Sequence, residues 1–151
     1  MIAAGPGLPP SVIIGTGRVG RAIAAVLRTL PGSAEPFRGR DIAADASPAV
    51  EALRRAGPGA LLLLPVRDDA IATVASSIAA AARDLPPGAA ALHMSGSLGL
   101  AVLAPLSVVG LSAGSCHPLQ TFTGSPDDAA RFRGAVFAID GTAAGRAAAE
   151  R

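Results

Sequence analysis

The apolar residues of this chain fall into short continuous runs, and segments with helical periodicity separate these runs. The runs "SVIIG" (residues 11–15), "ALLLLPV" (60–66) and "AAALHM" (89–94) contain no formally charged residue. Continuous apolar runs of this length are typical of strands that are buried on both faces. Two further runs, "SVVGL" (107–111) and "GAVFAID" (134–140), predict two more strands.

Helical spacing follows the first run directly. Apolar residues then recur every three or four positions, which predicts a helix with one apolar face. The residues on this face are Val19, Ile23, Val26, Leu27 and Leu30.

Two later segments carry the usual signals for the start and end of a helix. "SPAVEALRRAG" predicts a helix with Ser47 as its N-cap, Pro48 in its first turn and Gly57 at its end. "DDAIATVASSIAAAARDL" predicts a helix that Asp68 or Asp69 caps, and the prolines at 86 and 87 follow it. Its apolar stripe consists of Ile71, Val74, Ala75 and Ile78.

The remaining segments give weaker signals. "SAEPFRGRD" (33–41) stands where a second strand is expected, but Pro36 and its charges predict a strand that is short or at an edge. "SLGLAVLAPL" (97–106) predicts a short helix, and "GTAAGRAAAER" (141–151) predicts the start of another. Together the elements predict an α/β fold with a doubly wound, mainly parallel sheet and helices on both faces. The 151 residues, half of them apolar, fit a single domain over 1–151.

Composition narrows the classes of function. All thirteen basic residues are Arg, they are scattered, and the net charge is only +2. With four Phe and no Trp or Tyr, the chain does not show the basic and aromatic surface typical of nucleic-acid binding. The absence of both Tyr and Lys also excludes a reductase mechanism that rests on a Tyr–Lys pair within this chain.

Cysteine use and the apolar runs bear on the compartment. The single cysteine, Cys116, excludes an internal disulfide, and the two His show no metal-ligand spacing with it, so we expect no metal site. The first residues lack the basic and apolar regions of a signal peptide. No apolar run approaches the roughly 18 to 20 residues of a membrane span. We therefore expect a soluble cytoplasmic protein.

The sequence "VIIGTGRVG" matches the G-x-G-x-x-G pattern of dinucleotide-binding loops. The pattern follows a predicted strand and opens a predicted helix, which is the context that the motif requires. Gly15 permits the tight turn, Gly17 lets the backbone approach a pyrophosphate, and Gly20 lets the helix pack on the strand. The N–H groups at the helix start would face the phosphates. The alternative interpretation is a structural turn in a glycine-rich chain.

The segment after the weak second strand bears on the choice of cofactor. NAD sites usually place Asp or Glu about 20 residues after the glycine loop, where it binds the ribose 2′-hydroxyl. Arg38 and Arg40 stand there instead and can bind a phosphate, which favours NADP. Asp41 is the competing signal for NAD, and a pair of solvated loop arginines is the neutral interpretation.

Both histidines lie in a region without formal charge. His93 falls at the end of "AAALHM", and His117 follows the loop after "SVVGL". Ligands of doubly wound sheets bind outside the carboxyl ends of the strands, so we expect both histidines at the edge that carries the glycine loop. Either can act as an acid or base near neutral pH, with the hydroxyl groups of Ser95 and Ser97 nearby. Alternatively, both only hydrogen-bond a loop or shape a turn.

Four segments together resemble a known family. "VIIGTGRVGRAIAAVL", "LLLLPVRDDAIATVA", "LHMSGSLGLAVLAPL" and "GSCHPLQTF" are similar to the Rossmann-like proteins of the pyrroline-carboxylate reductase, ketopantoate reductase and 6-phosphogluconate dehydrogenase group. The match is to the branch with H-x-S-G and H-P-L-Q motifs, and it covers residues 12–148. In that branch an all-helical domain follows the Rossmann domain, and we expect this chain to lack it. Relatives of known activity take a catalytic Lys or other substrate groups from that domain, so we expect the active site to need a further segment or a partner.

The resemblance implies an NAD(P)-dependent oxidoreductase. It implies that His93, Ser95, Gly96 and His117 border the nicotinamide and the substrate, and that Asp68 starts the next helix. For the cofactor it implies contacts from Gly15, Thr16, Gly17, Arg18, Val19, Gly20, Arg38, Arg40, Leu64, Pro65 and Val66.

Three hypotheses follow from the sequence. The first is hydride transfer between NADP(H) and a small carbonyl or imine substrate, with His93, Ser95 and His117 as the catalytic candidates. The second is a non-catalytic dinucleotide-binding module that acts as a sensor or subunit. The third is a domain for another adenosine ligand such as S-adenosylmethionine. We also expect a homodimer, because a lone domain with so much apolar surface is a candidate for association.

Overall fold

A computed structural model describes residues 8–28 and 36–151, and these form an α/β fold around one sheet. The strands of this sheet are β1 (Ser11–Ile14), β2 (Pro36–Phe37), β3 (Leu61–Leu64), β4 (Ala90–His93), β5 (Ser112–Pro118) and β6 (Phe137–Gly141). They lie in the order β2-β1-β3-β4-β5-β6. All neighbours pair parallel except β5 and β6, which pair antiparallel. The predicted α/β class and mainly parallel sheet are confirmed.

Helices lie on both faces of the sheet, as the pattern predicts. One apolar cluster joins the sheet to the helices between β2 and β5, and a smaller cluster joins its other face to the first and last helices. Because helices cover both faces, every residue of β1, β3 and β4 is buried. The helices are α1 (Arg18–Leu27), α2 (Gly39–Ala44), α3 (Ser47–Ala56), α4 (Asp68–Ala81), α5 (Ala104–Val108) and α6 (Ala143–Ala149).

The first helix packs through small residues. The wholly buried positions of α1 are Gly20, Ala22 and Ala24, whereas Ile23 and Leu27 are only half-buried against the smaller cluster. The predicted apolar residues therefore pack on the cluster, but the most buried positions of α1 are residues without long side chains. Leu30, which the spacing also assigned to this face, lies outside the described residues.

The strand predicted at 107–111 is wrong. Ser107 and Val108 end α5, Gly110 turns the chain with a φ of +98°, and the strand begins at Ser112. Val108 is 86% exposed, so its apolar character does not indicate burial. His117 consequently lies inside β5 rather than after a loop.

The helix starts differ from the predicted caps by one residue. Ala46 rather than Ser47 is the N-cap of α3, and the Asp45 carboxylate accepts a hydrogen bond from the Ser47 N–H at 2.9 Å. Arg67 rather than an Asp is the N-cap of α4, so both Asp68 and Asp69 lie in its first turn. Carboxylates in a first turn stabilise the positive end of the helix dipole.

Other boundaries follow the sequence more closely. β2 is two residues long and forms the edge of the sheet, as Pro36 predicts, although positions 33–35 of that segment lie outside the described residues. α4 buries the predicted stripe but ends at Ala81, before the prolines. The short helix predicted at 97–106 is a 3₁₀ segment, Leu100–Leu103, that continues into α5. The sequence pattern did not predict α2 or the 3₁₀ segment Pro126–Phe132. Within the described ranges, no helix combines the length and apolarity that crossing a membrane requires.

Candidate functional site

The glycine loop between β1 and α1 is held by contacts that exclude side chains. Gly15 has a φ of +139°, and a Cβ there would lie 2.5 Å from the Pro65 carbonyl oxygen. A Cβ on Gly20 would lie 2.0 Å from the Gly15 carbonyl oxygen. The Gly15 N–H donates to the Phe37 carbonyl at 2.7 Å, which ties the loop to the edge strand. The loop therefore packs backbone against backbone on the ends of β2 and β3.

Gly17 differs from the other two glycines because it faces open space. A Cβ at this position would have no heavy atom within 4 Å among the described residues. Gly17 is the N-cap of α1 and offers no side-chain cap, so the first N–H groups of the helix lack that partner. An uncapped helix start beside an open space is a suitable place for an anion.

A cleft of about 770 Å³ opens beside this helix start. Its volume is within the usual range for small-molecule sites. The cleft lies between the ends of β1 and β3, where the order of strands along the chain reverses, and open α/β sheets bind ligands at such a point. Among the described residues, its lining is Gly15, Thr16, Gly17, Arg18, Val19, Gly39, Arg40, Ala43, Pro65, Val66, Arg67, Asp69, Ala70, Thr73 and Val74.

Most of the predicted cofactor residues line this cleft, and three do not. Gly20 is buried under the helix start, and Leu64 is wholly buried in the core. Arg38 precedes α2 and is absent from the lining, while its carbonyl accepts from the Asp41 and Ile42 N–H groups. The structure thus brings Arg40 to the cleft without Arg38.

In the segment that follows β3, sequence reasoning named Pro65 and Val66 but missed Arg67 and Asp69. Arg67 and Asp69 line the cleft, and the guanidinium holds the carboxylate through two hydrogen bonds of 3.1 and 2.7 Å. A signal for this segment was present, because β3 was predicted and parallel neighbours end at the same edge of a sheet. What the sequence did not show is that β3 is the neighbour of β1.

A second group of polar residues lies at the ends of β4 and β5, and His93 is its buried member. His93 is 0% exposed, and its Nδ1 accepts a hydrogen bond from the Ser95 N–H at 3.2 Å. The proton of the neutral ring therefore sits on Nε2. Nε2 is buried and has no hydrogen-bond partner in the described part of the chain. Burial lowers the pKa of His93, and the charges of Asp68 and Asp140 oppose that shift only in part.

The hydroxyl groups of Ser95 and Ser97 form a short chain that leads to Asp68. The Ser95 Oγ accepts from the N–H groups of Ser97 and Leu98, which closes a turn. The Ser97 hydroxyl donates to the Asp68 carboxylate at 2.7 Å, and this bond is the main reason that the pKa of Asp68 is lowered. Ser95 is buried, so its hydroxyl shapes the loop rather than facing the solvent.

His117 is the half-buried member of the group. Its Nδ1 lies 2.9 Å from the Met94 carbonyl oxygen. Because a carbonyl only accepts, Nδ1 carries the proton of the neutral ring and Nε2 keeps a lone pair. A Cβ on Gly96 would lie 2.7 Å from Nε2, so only glycine lets the loop lie against this ring. The structure thus brings together the predicted residues His93, Ser95, Gly96 and His117.

The three glycines of the loop give a first prediction. Gly20→Ala should lower the free energy of unfolding by about 2 kcal/mol or more, because its Cβ would overlap a backbone oxygen that cannot move aside. Gly17→Ala should change it by less than about 1 kcal/mol, because loss of a glycine N-cap and the entropy of the unfolded chain nearly offset each other. Urea unfolding of both variants tests this. Equal losses of stability in the two variants would contradict the described loop geometry.

Burial of a neutral His93 gives a prediction on pH. Its pKa in the folded state is below the ordinary 6.5, so the unfolded chain takes up a proton that the folded chain does not. Stability should therefore fall as the pH falls below about 6.5, by at most about 1.4 kcal/mol per pH unit for this one group. His93→Asn keeps an acceptor for the Ser95 N–H and removes the titration.

The comparison is the slope of unfolding free energy against pH, between about pH 5 and 7. The slope should become shallower in His93→Asn than in the unsubstituted protein. His117→Asn serves as the matched control and should keep the part of the slope that His93 produces. An unchanged slope in His93→Asn would show that the buried ring is not the group that titrates.

Comparison of the chain with protein-family models, with curated proteins and with solved structures finds no match. The family resemblance therefore stays a prediction.

Proposed function

We propose that this chain binds a nicotinamide dinucleotide, with NADP(H) favoured, and acts as an oxidoreductase on a small carbonyl or imine substrate. The observation that carries this proposal is the cleft at the uncapped start of α1, where Gly17 leaves open space. A pyrophosphate there would meet helix N–H groups and the field of the helix dipole. Gly15 and Gly20 meet the requirements of a Rossmann-type loop, in which they allow the turn and the helix packing.

The cleft also suits an adenosine. Ala43, Val66, Ala70 and Val74 give apolar surface for a purine ring. Arg40 on one side adds positive charge, whereas Asp41, the competing signal for NAD, is absent from the lining. This arrangement supports NADP over NAD.

The other end of the cofactor would lie toward the ends of β4 and β5, beside His117. Bound NADP(H) would supply or take the hydride at its nicotinamide ring. In the reductive direction, a protonated His117 would donate its Nε2 proton to the substrate oxygen or nitrogen, and the neutral ring would accept it in reverse. The Met94 carbonyl holds Nδ1, so Nε2 is the nitrogen directed to this task.

His93 and Ser95 suit a different role from the one that sequence reasoning assigned. His93 is wholly buried with its Nδ1 engaged, and the Ser95 hydroxyl closes the turn that follows β4. In our proposal these two residues position the loop, and His117 faces the substrate.

A second candidate is a dinucleotide-binding module without catalytic activity. The observation that favours it is that loop hydrogen bonds already occupy the His93 Nδ1 and the Ser95 hydroxyl oxygen. His117 is then the one of the three catalytic candidates with a group for proton transfer. Saturable binding of the cofactor without turnover on any small carbonyl or imine would support this candidate.

The first experiment is a thermal-shift titration with NADPH, NADH and S-adenosylmethionine in parallel. A ligand at 100 times its dissociation constant adds about 2.7 kcal/mol of stability. For a chain of this size the midpoint should then rise by about 5 to 10 °C. Gly17→Ala should keep its own midpoint and lose the shift, because the new methyl group occupies the pyrophosphate position. Gly99→Ala, another glycine with no heavy atom near its Cβ position, should keep the shift.

Two results would contradict the proposal. One is a shift with S-adenosylmethionine alone, and the other is no shift with any of the three ligands. A shift that persists in Gly17→Ala would remove the glycine loop from the binding site.

The proposed role of His117 predicts a selective loss of turnover. In His117→Asn the amide group can still donate to the Met94 carbonyl, but the nitrogen that would exchange a proton is gone. With a small ketone or cyclic imine that oxidises NADPH in a screen, kcat should fall about 100- to 10,000-fold while the dissociation constant of NADPH stays the same. Ser97→Ala, which removes a hydroxyl of the same loop, should have a much smaller effect on kcat. Full activity in His117→Asn would exclude it as the proton donor.

A further inference from the structure

Arginines enter the nucleotide cleft from three segments of the chain. Arg18 lies at the start of α1, Arg40 lies in α2, and Arg67 follows β3. Sequence reasoning paired Arg40 with Arg38, but Arg38 does not line the cleft. The second arginine beside Arg40 is therefore one that lies far from it along the chain.

We infer that Arg67, together with Arg40, binds the 2′-phosphate of NADP(H) and sets the preference over NAD(H). The inference rests on the proposed dinucleotide binding, and it names the residue that distinguishes a 2′-phosphate from a 2′-hydroxyl group. The ligand group is a phosphomonoester on the adenosine ribose, and Arg67 is its specificity-determining partner.

Arg40 and Arg67 reach the same cleft from two segments of the chain that touch each other. A Cβ on Gly39 would lie 2.8 Å from the Val66 Cγ1, so the segment that enters α2 touches the segment that leaves β3. Arg40 and Arg67 are the next residues on these two segments, and both line the cleft. Two arginines that are distant along the chain therefore enter the same opening from adjoining segments.

Both guanidiniums can change partners at low cost. The side chains of Arg40 and Arg67 are 77% and 85% exposed. Each contacts a carboxylate close in sequence, Asp41 at 3.6 Å and Asp69 at 2.7 Å. Exposed ion pairs of this kind contribute about 0 to 1 kcal/mol. A phosphate that accepts paired N–H bonds from a guanidinium is a stronger partner.

The same contacts show what holds Arg67 at the cleft. Asp69 is the carboxylate that lines the cleft. Both of its oxygens accept from Arg67. Asp69 therefore holds the Arg67 guanidinium at the cleft until a phosphate takes its place.

The test measures dissociation constants of NADPH and NADH by calorimetry for the unsubstituted protein and four variants. Arg67→Gln should weaken NADPH binding about 10- to 100-fold and leave NADH within about threefold, because only NADPH carries the phosphate. Arg67→Lys should lose less of the NADPH affinity than Arg67→Gln, since lysine keeps the charge but lacks the paired N–H groups. Arg40→Gln should resemble Arg67→Gln. Arg38→Gln is the matched control and should change neither constant.

The outcomes separate this inference from the proposed function. Equal weakening of NADPH and NADH in Arg67→Gln would show that Arg67 packs on the adenine, and would overturn the assignment. Loss of the preference for NADPH in Arg38→Gln but not in Arg67→Gln would overturn the assignment as well. In both cases the protein still binds a dinucleotide, so the proposed function stands. If the unsubstituted protein binds neither nucleotide, the proposed function and this inference both fail.

Discussion

The close approach of the glycine loop to the end of β3 is the constraint on which the cleft depends. A side chain on Gly15 would overlap the Pro65 carbonyl, and one on Gly20 would overlap the Gly15 carbonyl. Both overlaps involve backbone atoms, so no change of side-chain rotamer relieves them. As a result α1 starts directly beside the segment that leaves β3, and its first N–H groups face the same opening as Arg67. The walls of the cleft are thus set by backbone contacts, whereas its charge is set by long and exposed side chains.

Close packing at glycine positions also occurs near the other edge of the sheet. A Cβ on Gly145 would lie 2.0 Å from the Ala113 carbonyl oxygen, and one on Gly114 would lie 3.0 Å from the Gly145 carbonyl oxygen. These small residues let α6 lie close on β5, where β6 pairs antiparallel. β5 continues beyond the pairing of His93 with Ser115, so it carries His117 past the end of β4. The ring then meets Gly96, which again has no side chain to prevent the contact.

The sequence correctly predicts the elements that are buried because their own residues are apolar. The sequences of β1, β3 and β4 are apolar because helices cover both faces of these strands. The buried apolar residues of α4 recur at regular helical spacing. β5 was misplaced because "SAGSCHP" is buried by small residues packed against distant partners, while the more apolar "SVVGL" ends a helix. Arg67 was missed for a related reason, since its position in the cleft depends on β3 lying next to β1. Spacing along the chain pointed to Arg38 instead, which the start of α2 leaves outside the cleft lining.

The two histidines show why residue type alone does not assign a role. The Nδ1 of His93 meets a backbone N–H, and the Nδ1 of His117 meets a backbone carbonyl, so the neutral rings carry their protons on different nitrogens. A neutral imidazole can be buried at the end of an apolar strand because burial disfavours its charged form. His93 anchors the residue that closes the loop, the loop presents Gly96, and Gly96 lies against the ring of His117. The H-x-S-G motif and the later histidine are therefore linked in space, because the buried ring of His93 supports the loop that lies against the ring of His117.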